Sequence, residues 1–284
     1  MADCFRPTSL AEAVAFLGAV PVGLRPLAGG TDLYPGAGPL LSGAVLDLSR
    51  VGEVQGITHG AGGLRIGAAT CWTTIAEAAL PQGLRALQQA SRQVGGRQIQ
   101  NAGTIGGNLC NASPAADGVP PLLAVGAEVE LASSRGLRRM PLADFLTGPR
   151  RTARAQDELM VAVHVPAEGL AGQSAFLKLG ARAYLVISIA MVAVRIVPGV
   201  GSAGQVALAV GACSAVATRL PRAEAALAGL QPHAMAQALR SEDVAPGLSP
   251  IDDIRATGAY RAKAAVELLR RALAEAAALC EAAG

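Results

Sequence analysis

The chain has 284 residues, 51% hydrophobic but only 3% aromatic, which allows one large domain or two ordinary ones on an aliphatic core and excludes wholesale disorder. Its formal charge is +3; the basic residues are all arginine except Lys178 and Lys263, and no run of them is dense enough for a nucleic-acid arm. The 34 glycines exceed the usual share of about 7%, which points to tight turns or to backbone lying close to a ligand.

Ser9 and Glu12 form a capping-box pattern ahead of Ala13, Val14, Phe16 and Leu17, which predicts a first helix. Short apolar runs follow at Leu24–Leu27, Ala44–Leu48 and Leu64–Ile66, each read as a strand. Helices are predicted near Thr73–Leu80 and Gly83–Val94, the second with Leu84, Leu87 and Ala90 on one face. Gly95 to Gly118 lacks periodicity and reads as a long loop of the kind that is often functional. Glu128–Leu131 and Met160–Val165 read as strands, the latter alternating Val161, Val163 and Val165 with Ala162 and His164.

The pattern breaks at Glu168–Gly172, which places a domain boundary near residue 170. Beyond it come strand-like runs at Ala175–Leu179, Val186–Ile196 and Gln205–Ala212. Helices follow at Ala223–Leu230, His233–Arg240 and Tyr260–Ala283, so the order is α+β, with no internal repeat.

Cys4, Cys71, Cys110, Cys213 and Cys280 are scattered, with no spacing for an iron–sulfur cluster or zinc. Such a set fits reduced thiols in a cytoplasmic protein better than a disulfide framework. Met1 to Pro7 lacks the apolar core of a signal peptide, and the longest apolar run, Leu185 to Val194, is too short to span a bilayer. His59, His164 and His233 stand without partners that would suggest catalysis or a metal site.

Two glycine segments carry the chemistry. Leu27-Ala28-Gly29-Gly30-Thr31-Asp32-Leu33 follows a strand, and its paired glycines let backbone N–H groups converge on a phosphate or pyrophosphate, with the Thr31 hydroxyl beside them. Asn101-Ala102-Gly103-Thr104-Ile105-Gly106-Gly107-Asn108 repeats the design: hydroxyl, two glycines, then a side-chain amide. Downstream, Asp117 supplies a carboxylate of the kind that accepts ribose hydroxyls in dinucleotide sites. A lone Gly-Gly is usually a turn, and neither segment matches GxGxxG or a P-loop, so the residues alone indicate a two-nest anion or dinucleotide site.

Together these segments resemble the two FAD loops of the flavin domain of the xanthine dehydrogenase and carbon monoxide dehydrogenase family of molybdenum hydroxylases. Ser113-Pro114 with Asp117, Pro120 to Ala124, the Lys178…Arg182 segment, and Pro250-Ile251-Asp252-Asp253-Ile254-Arg255 with Tyr260-Arg261 are similar to later family motifs. The likeness runs nearly the whole chain, in order.

The resemblance implies a medium subunit with an FAD-binding PCMH-type domain of two α/β subdomains (about 1–58 and 59–170). A small antiparallel sheet with a helix bundle, 171–284, would follow. It implies FAD on this chain, and a molybdopterin-binding large subunit and a [2Fe-2S] small subunit as partners, in a dimer of heterotrimers. Electrons would pass from the clusters through FAD to NAD or another acceptor.

It also implies roles. Leu27 to Leu33 and Thr104 to Asn108 would wrap the diphosphate with backbone N–H groups and the Thr31 and Thr104 hydroxyls. Asp117 would bind the ribose or adenine side, and Val94 and Val161 would make apolar or backbone contacts. Lys178 would approach the flavin or its ribityl chain, where a cation favours the anionic reduced form. Arg182 reads equally well as one half of a structural salt bridge, Tyr184 as a flavin neighbour or as core, and Asp252 and Asp253 as helix caps. The family often has an acidic residue shortly after the arginine; Ala183-Tyr184-Leu185-Val186 stands there instead, which leaves the flavin surroundings open. The competing readings are a self-sufficient flavin-dependent oxidase, disfavoured by the absence of a convincing acid or base, and a non-redox nucleotide-binding assembly protein.

Overall fold

Residues 3–19, 23–37, 43–199 and 204–283 are described by a computed structural model. Strand β1 (Cys4–Phe5) leads into helix α1 (Leu10–Ala19), where Ser9 Oγ accepts the Glu12 N–H at 3.2 Å. The Glu12 carboxylate reaches back to the Thr8 N–H at 2.7 Å, one residue earlier than a standard capping box. Strands β2 (Arg25–Leu27) and β3 (Val45–Asp47) complete a small parallel sheet ordered β1-β3-β2. The first glycine segment leaves the carboxyl end of β2, the end of a parallel sheet at which ligands gather. Ala13 and Leu17 of α1 pack on Leu46, Leu48 and Val51, and this cluster closes against Ala132, Leu159 and Val161 of the next layer.

The middle of the chain builds on five antiparallel strands: β4 (Ile57–Gly60), β5 (Gly63–Gly67), β6 (Glu128–Ser133), β7 (Gly136–Pro141) and, after the β8 (Leu146–Gly148) and β9 (Arg151–Thr152) hairpin, β10 (Leu159–Pro166). Their order is β4-β5-β10-β6-β7, so β10 is central, which explains why its residues are buried in near-continuous succession. Helices α2 (Trp72–Glu77), α3 (Arg85–Ser91), α4 (Arg97–Ala102), α5 (Ile105–Asn111) and α6 (Val119–Ala124) lie between β5 and β6, and α7 (Leu142–Phe145) and α8 (Ala167–Leu170) flank the later strands. Leu84, Leu87 and Ala90 are fully buried, as their spacing predicts.

The stretch from Gly95 to Gly118 is not the long loop expected. It forms α4 and α5, each too short for a helical period to register in the sequence. Strands β1, β4 and β7 also escaped the pattern; β7 is an exposed edge with little apolar content.

The last layer holds β11 (Gln173–Leu179), β12 (Ala190–Val197), β13 (Gln205–Gly211) and β14 (Thr218–Arg219), antiparallel and in that order. Helices α9 (Pro221–Leu227), α10 (Pro232–Ala238), α11 (Ser241–Val244) and α12 (Gly258–Ala283) follow. One face of this sheet packs on α12 and its neighbours through Val192, Val194, Leu208 and Leu269. The other face meets α3 and α6 through Phe176, Met191, Ala193 and Ala86. Because β12 is covered on both sides, Ala190 to Ile196 are all buried. The strand begins at Ala190 and not at Val186; Val186 to Ile189 belong to a bent segment outside the sheet. The whole is α+β, and among the described residues no helix is long and apolar enough to cross a membrane.

Candidate functional site

Past Leu27 the chain turns sharply. Gly30 sits at φ +68°, and the Tyr34 N–H closes the turn on the Gly30 carbonyl at 3.0 Å. Gly29 is demanded by proximity: a Cβ there would lie 1.8 Å from the Ala102 carbonyl oxygen and 2.9 Å from the Gly103 nitrogen. The two glycine segments, far apart in sequence, are thus pressed together, and Thr31 Oγ1 lies 3.4 Å from where a Cβ on Gly103 would stand. Among the described residues, the N–H groups of Ala28 to Leu33 take no protein hydrogen bond. A row of free backbone donors suits an anion.

The second segment differs. Thr104 caps α5, its hydroxyl accepting the Gly107 N–H at 3.1 Å. Ile105 donates to Thr70 O (3.1 Å), Gly106 to Ala68 O (2.8 Å) and Asn108 to Thr104 O (3.0 Å). The N–H groups of Ile105 to Asn108 are therefore already engaged, and the segment does not repeat the donor row of the first. What it presents is a surface. An added Cβ on exposed Gly107 would meet only Thr104 Oγ1, at 3.0 Å. Beside it the Asn108 Oδ1 is buried without a hydrogen-bond partner. A buried acceptor left bare calls for a donor, and a sugar hydroxyl supplies one. Val161 stands one step behind: its carbonyl accepts the Ala68 N–H at 2.9 Å, and its side chain is in the core with Leu46 and Leu48. Val94, just past α3, is half-buried against the central core cluster.

Asp117 and Lys178 are brought to one place. Lys178 Nζ is 2.6 Å from Asp117 Oδ2, and both side chains are buried. Ser188 Oγ donates to the other carboxylate oxygen at 2.7 Å, and Lys178 also reaches the Gln93 carbonyl at 3.4 Å. Burial pushes the Asp117 carboxyl up from its ordinary value, while Lys178 and Ser188 pull it down. The Lys178 charge is thus matched by a carboxylate, so it does not act as a lone cation. Ser188 escaped the sequence reading, a hydroxyl inside an apolar run being its only signal.

Residues 1–168 match the family described as the FAD binding domain in molybdopterin dehydrogenase, and residues 175–276 match the CO dehydrogenase flavoprotein C-terminal domain. The chain belongs to this family of FAD-binding subunits. The flavoprotein is 37% identical to the xanthine dehydrogenase FAD-binding subunit of Escherichia coli O157:H7 over 58% of each chain. It is 30% identical to the carbon monoxide dehydrogenase medium chain of Afipia carboxidovorans over 95% of each. The solved structure of reconstituted CO dehydrogenase from Oligotropha carboxidovorans contains a chain that superimposes with a TM-score of 0.90 at 28% identity, covering 98% of both. FAD is therefore the cofactor of this chain, and the free donors of the first segment, the bare face at Gly107 and the orphaned Asn108 oxygen fit a dinucleotide.

In the flavoprotein, the segment from Gly180 to Ile189 forms a strap beside this site. Among the described residues Arg182 makes no salt bridge; it donates to the Leu185 carbonyl at 2.6 Å and holds the strap's own bend, where Leu185 adopts φ +53°. Leu185 touches the Gly96 turn, since a Cβ on Gly96 would lie 3.0 Å from Leu185 Cδ2. Tyr184 is 82% exposed, which overturns the reading of it as core. His164 does have a partner: its Nε2 lies 2.8 Å from Glu130 Oε2 across the β10–β6 pair. Arg65 and Arg139 add to this polar stripe across the sheet, away from the glycine segments. Asp252 accepts the first N–H of α12, from Gly258, as a cap should. Asp253 instead closes its own turn on the Arg255 N–H at 2.8 Å and pairs with Arg261.

Proposed function

We propose that this flavoprotein carries electrons from [2Fe-2S] clusters on a small partner subunit, through FAD, to NAD or another acceptor, while a molybdopterin-binding large subunit oxidises the substrate. The observation that carries the reading is the pair of contacting glycine segments, one with free N–H donors and one with a bare glycine face. FAD would lie along them, its diphosphate on the N–H groups of Ala28 to Leu33 and the Thr31 hydroxyl. Thr104 to Asn108 would form the opposing wall, and Asn108 would accept a hydroxyl. Asp117 would bind sugar hydroxyls, and Lys178 would stand near the flavin or its ribityl chain. Val94 and Val161 would back the cofactor from the apolar side.

The cysteines support placing the clusters elsewhere. Cys110 lies against the central core cluster and Cys213 inside that of the last layer, so the two do not gather into a ligand set. In this reading residues 1–170 are the FAD domain, with subdomains of about 1–58 and 59–170, and 171–284 the carboxyl-terminal domain. The assembly is a dimer of heterotrimers in the cytoplasm.

The test is an absorbance spectrum and metal analysis of the chain purified, with whatever binds it, from its native host. Flavin bands, iron–sulfur absorption and molybdenum in one complex are expected. A chain that reduces its flavin with substrate while alone would sink the subunit reading.

A further inference from the structure

The two aspartates and two arginines of the segment Pro250 to Arg261 lie outside the glycine segments, yet Arg261 is joined to the site by two routes. Its side chain is 3% exposed on the first turn of α12. Nη1 donates to the Ile189 carbonyl at 2.7 Å and to the Ala212 carbonyl at 3.0 Å, and Nη2 pairs with Asp253 Oδ1 at 2.6 Å. Ile189 ends the strap and follows Ser188, whose hydroxyl holds Asp117. Ala212, held at φ +61°, donates its N–H to the Pro114 carbonyl at 2.9 Å, three residues before Asp117. Both routes from one guanidinium thus converge on the same carboxylate.

We propose that Arg261 is a positioning residue for the flavin site: by clamping Ile189 and Ala212 against α12, it sets where Ser188 and Asp117 stand, and through them Lys178. The inference rests on Asp117 belonging to the flavin site. A planar fork is needed here, because two carbonyls and a carboxylate approach from different segments and a lysine ammonium on its flexible stem cannot meet all three in that geometry. Nη1 serves the two site-bearing segments, while Nη2 is fixed by Asp253 in the turn ahead of α12.

Arg195 provides the internal control. It is also buried, and its guanidinium donates to the Ala124, Glu168 and Ala171 carbonyls; of these, Ala124 alone shares a segment with Asp117, at the far end of α6, and none adjoins Asp117, Ser188 or Lys178. The experiment compares Arg261→Lys, Arg195→Lys and Asp117→Asn in the purified complex, stripped of FAD and titrated with it, following flavin fluorescence, the flavin absorption bands and the thermal midpoint. Arg261→Lys is expected to weaken FAD binding by about tenfold, the scale of one hydrogen bond to a charged group, and to shift the flavin bands. Arg195→Lys is expected to lower the midpoint with FAD affinity and spectrum unchanged.

Equal FAD affinity in the two arginine variants would overturn the proposal. If Asp117→Asn also binds FAD normally, the site assignment itself fails; if Asp117→Asn weakens binding and Arg261→Lys does not, only the clamp fails. Should Arg261→Lys not assemble, Asp253→Asn, which removes the charge facing Nη2 and Arg255 and leaves both Nη1 bonds in place, decides: a smaller loss of FAD affinity supports the clamp, and no loss overturns it.

Discussion

Lys178 and Asp117, 61 residues apart in sequence, form a 2.6 Å ion pair whose side chains are 6% and 8% exposed. Removing one partner of a buried pair leaves an uncompensated charge. Lys178→Met should therefore cost about 3–5 kcal/mol, read as a fall in the urea midpoint. The double variant Lys178→Met/Asp117→Leu should regain most of that stability, since a well-packed apolar pair can replace a buried ionic one. FAD affinity should stay low in both, which separates the role of the pair in binding from its role in folding.

Gly29 and Gly107 make opposite predictions. At Gly29 an added methyl would collide with the backbone of Ala102 and Gly103, so Gly29→Ala should separate the two segments, lower the thermal midpoint and weaken FAD together. At Gly107 only the Thr104 hydroxyl is in reach. Gly107→Ala should keep a near-normal midpoint and lose FAD affinity, because its methyl would stand on the face that the proposed site gives to the cofactor. Fluorescence titration beside a melting curve reads both.

Asn108 carries a buried oxygen that finds no hydrogen-bond partner among the described residues. Truncating it removes no protein hydrogen bond of that atom, so Asn108→Ala should change the stability of the FAD-free chain by less than about 1 kcal/mol while weakening FAD about tenfold. Loss of stability with unchanged FAD affinity would show that the amide serves the fold instead.

Acid should loosen the middle layer through Glu158. Arg138 grips this carboxylate with Nε at 2.5 Å and Nη2 at 2.7 Å, and the Ala155 N–H adds a bond at 2.8 Å. The Arg138 hydrogen bonds, helped by Ala155, hold the carboxyl below its ordinary value of 4.5 against the opposing effect of burial. A depressed folded value means that the stabilisation is complete above the ordinary value and is lost as pH falls through the folded one. Glu158→Gln should be less stable than the wild type at neutral pH and should lose less on acidification; melting curves from pH 7 down to about pH 3 check this.

Much of the fold was legible because local rules and tertiary packing agree. The α1 capping residues, the spacing of Leu84, Leu87 and Ala90, and the apolar run of β10 each announce an element that the packing then uses, though β10 is buried on both faces and its alternation marks neither of them. The rest failed for physical reasons. Helices α4 and α5 are too brief for a period to register, α5 being tied to the Ala68 and Thr70 carbonyls and burying Ile105 and Leu109, and β7 is an edge strand with no buried side to betray it.

By itself the sequence determined the two glycine segments, the family likeness they carry, and the scattering of the cysteines, because a glycine requirement and a ligand spacing are written residue by residue. Only the tertiary structure decided that Gly29 abuts Ala102, that the N–H groups of Ile105 to Asn108 are taken, that Asp117, Lys178 and Ser188 share one buried cluster, and that Arg261 bonds the Ile189 carbonyl beside it. Each of these depends on which distant backbone group reaches a donor or acceptor first, and no local pattern names that partner.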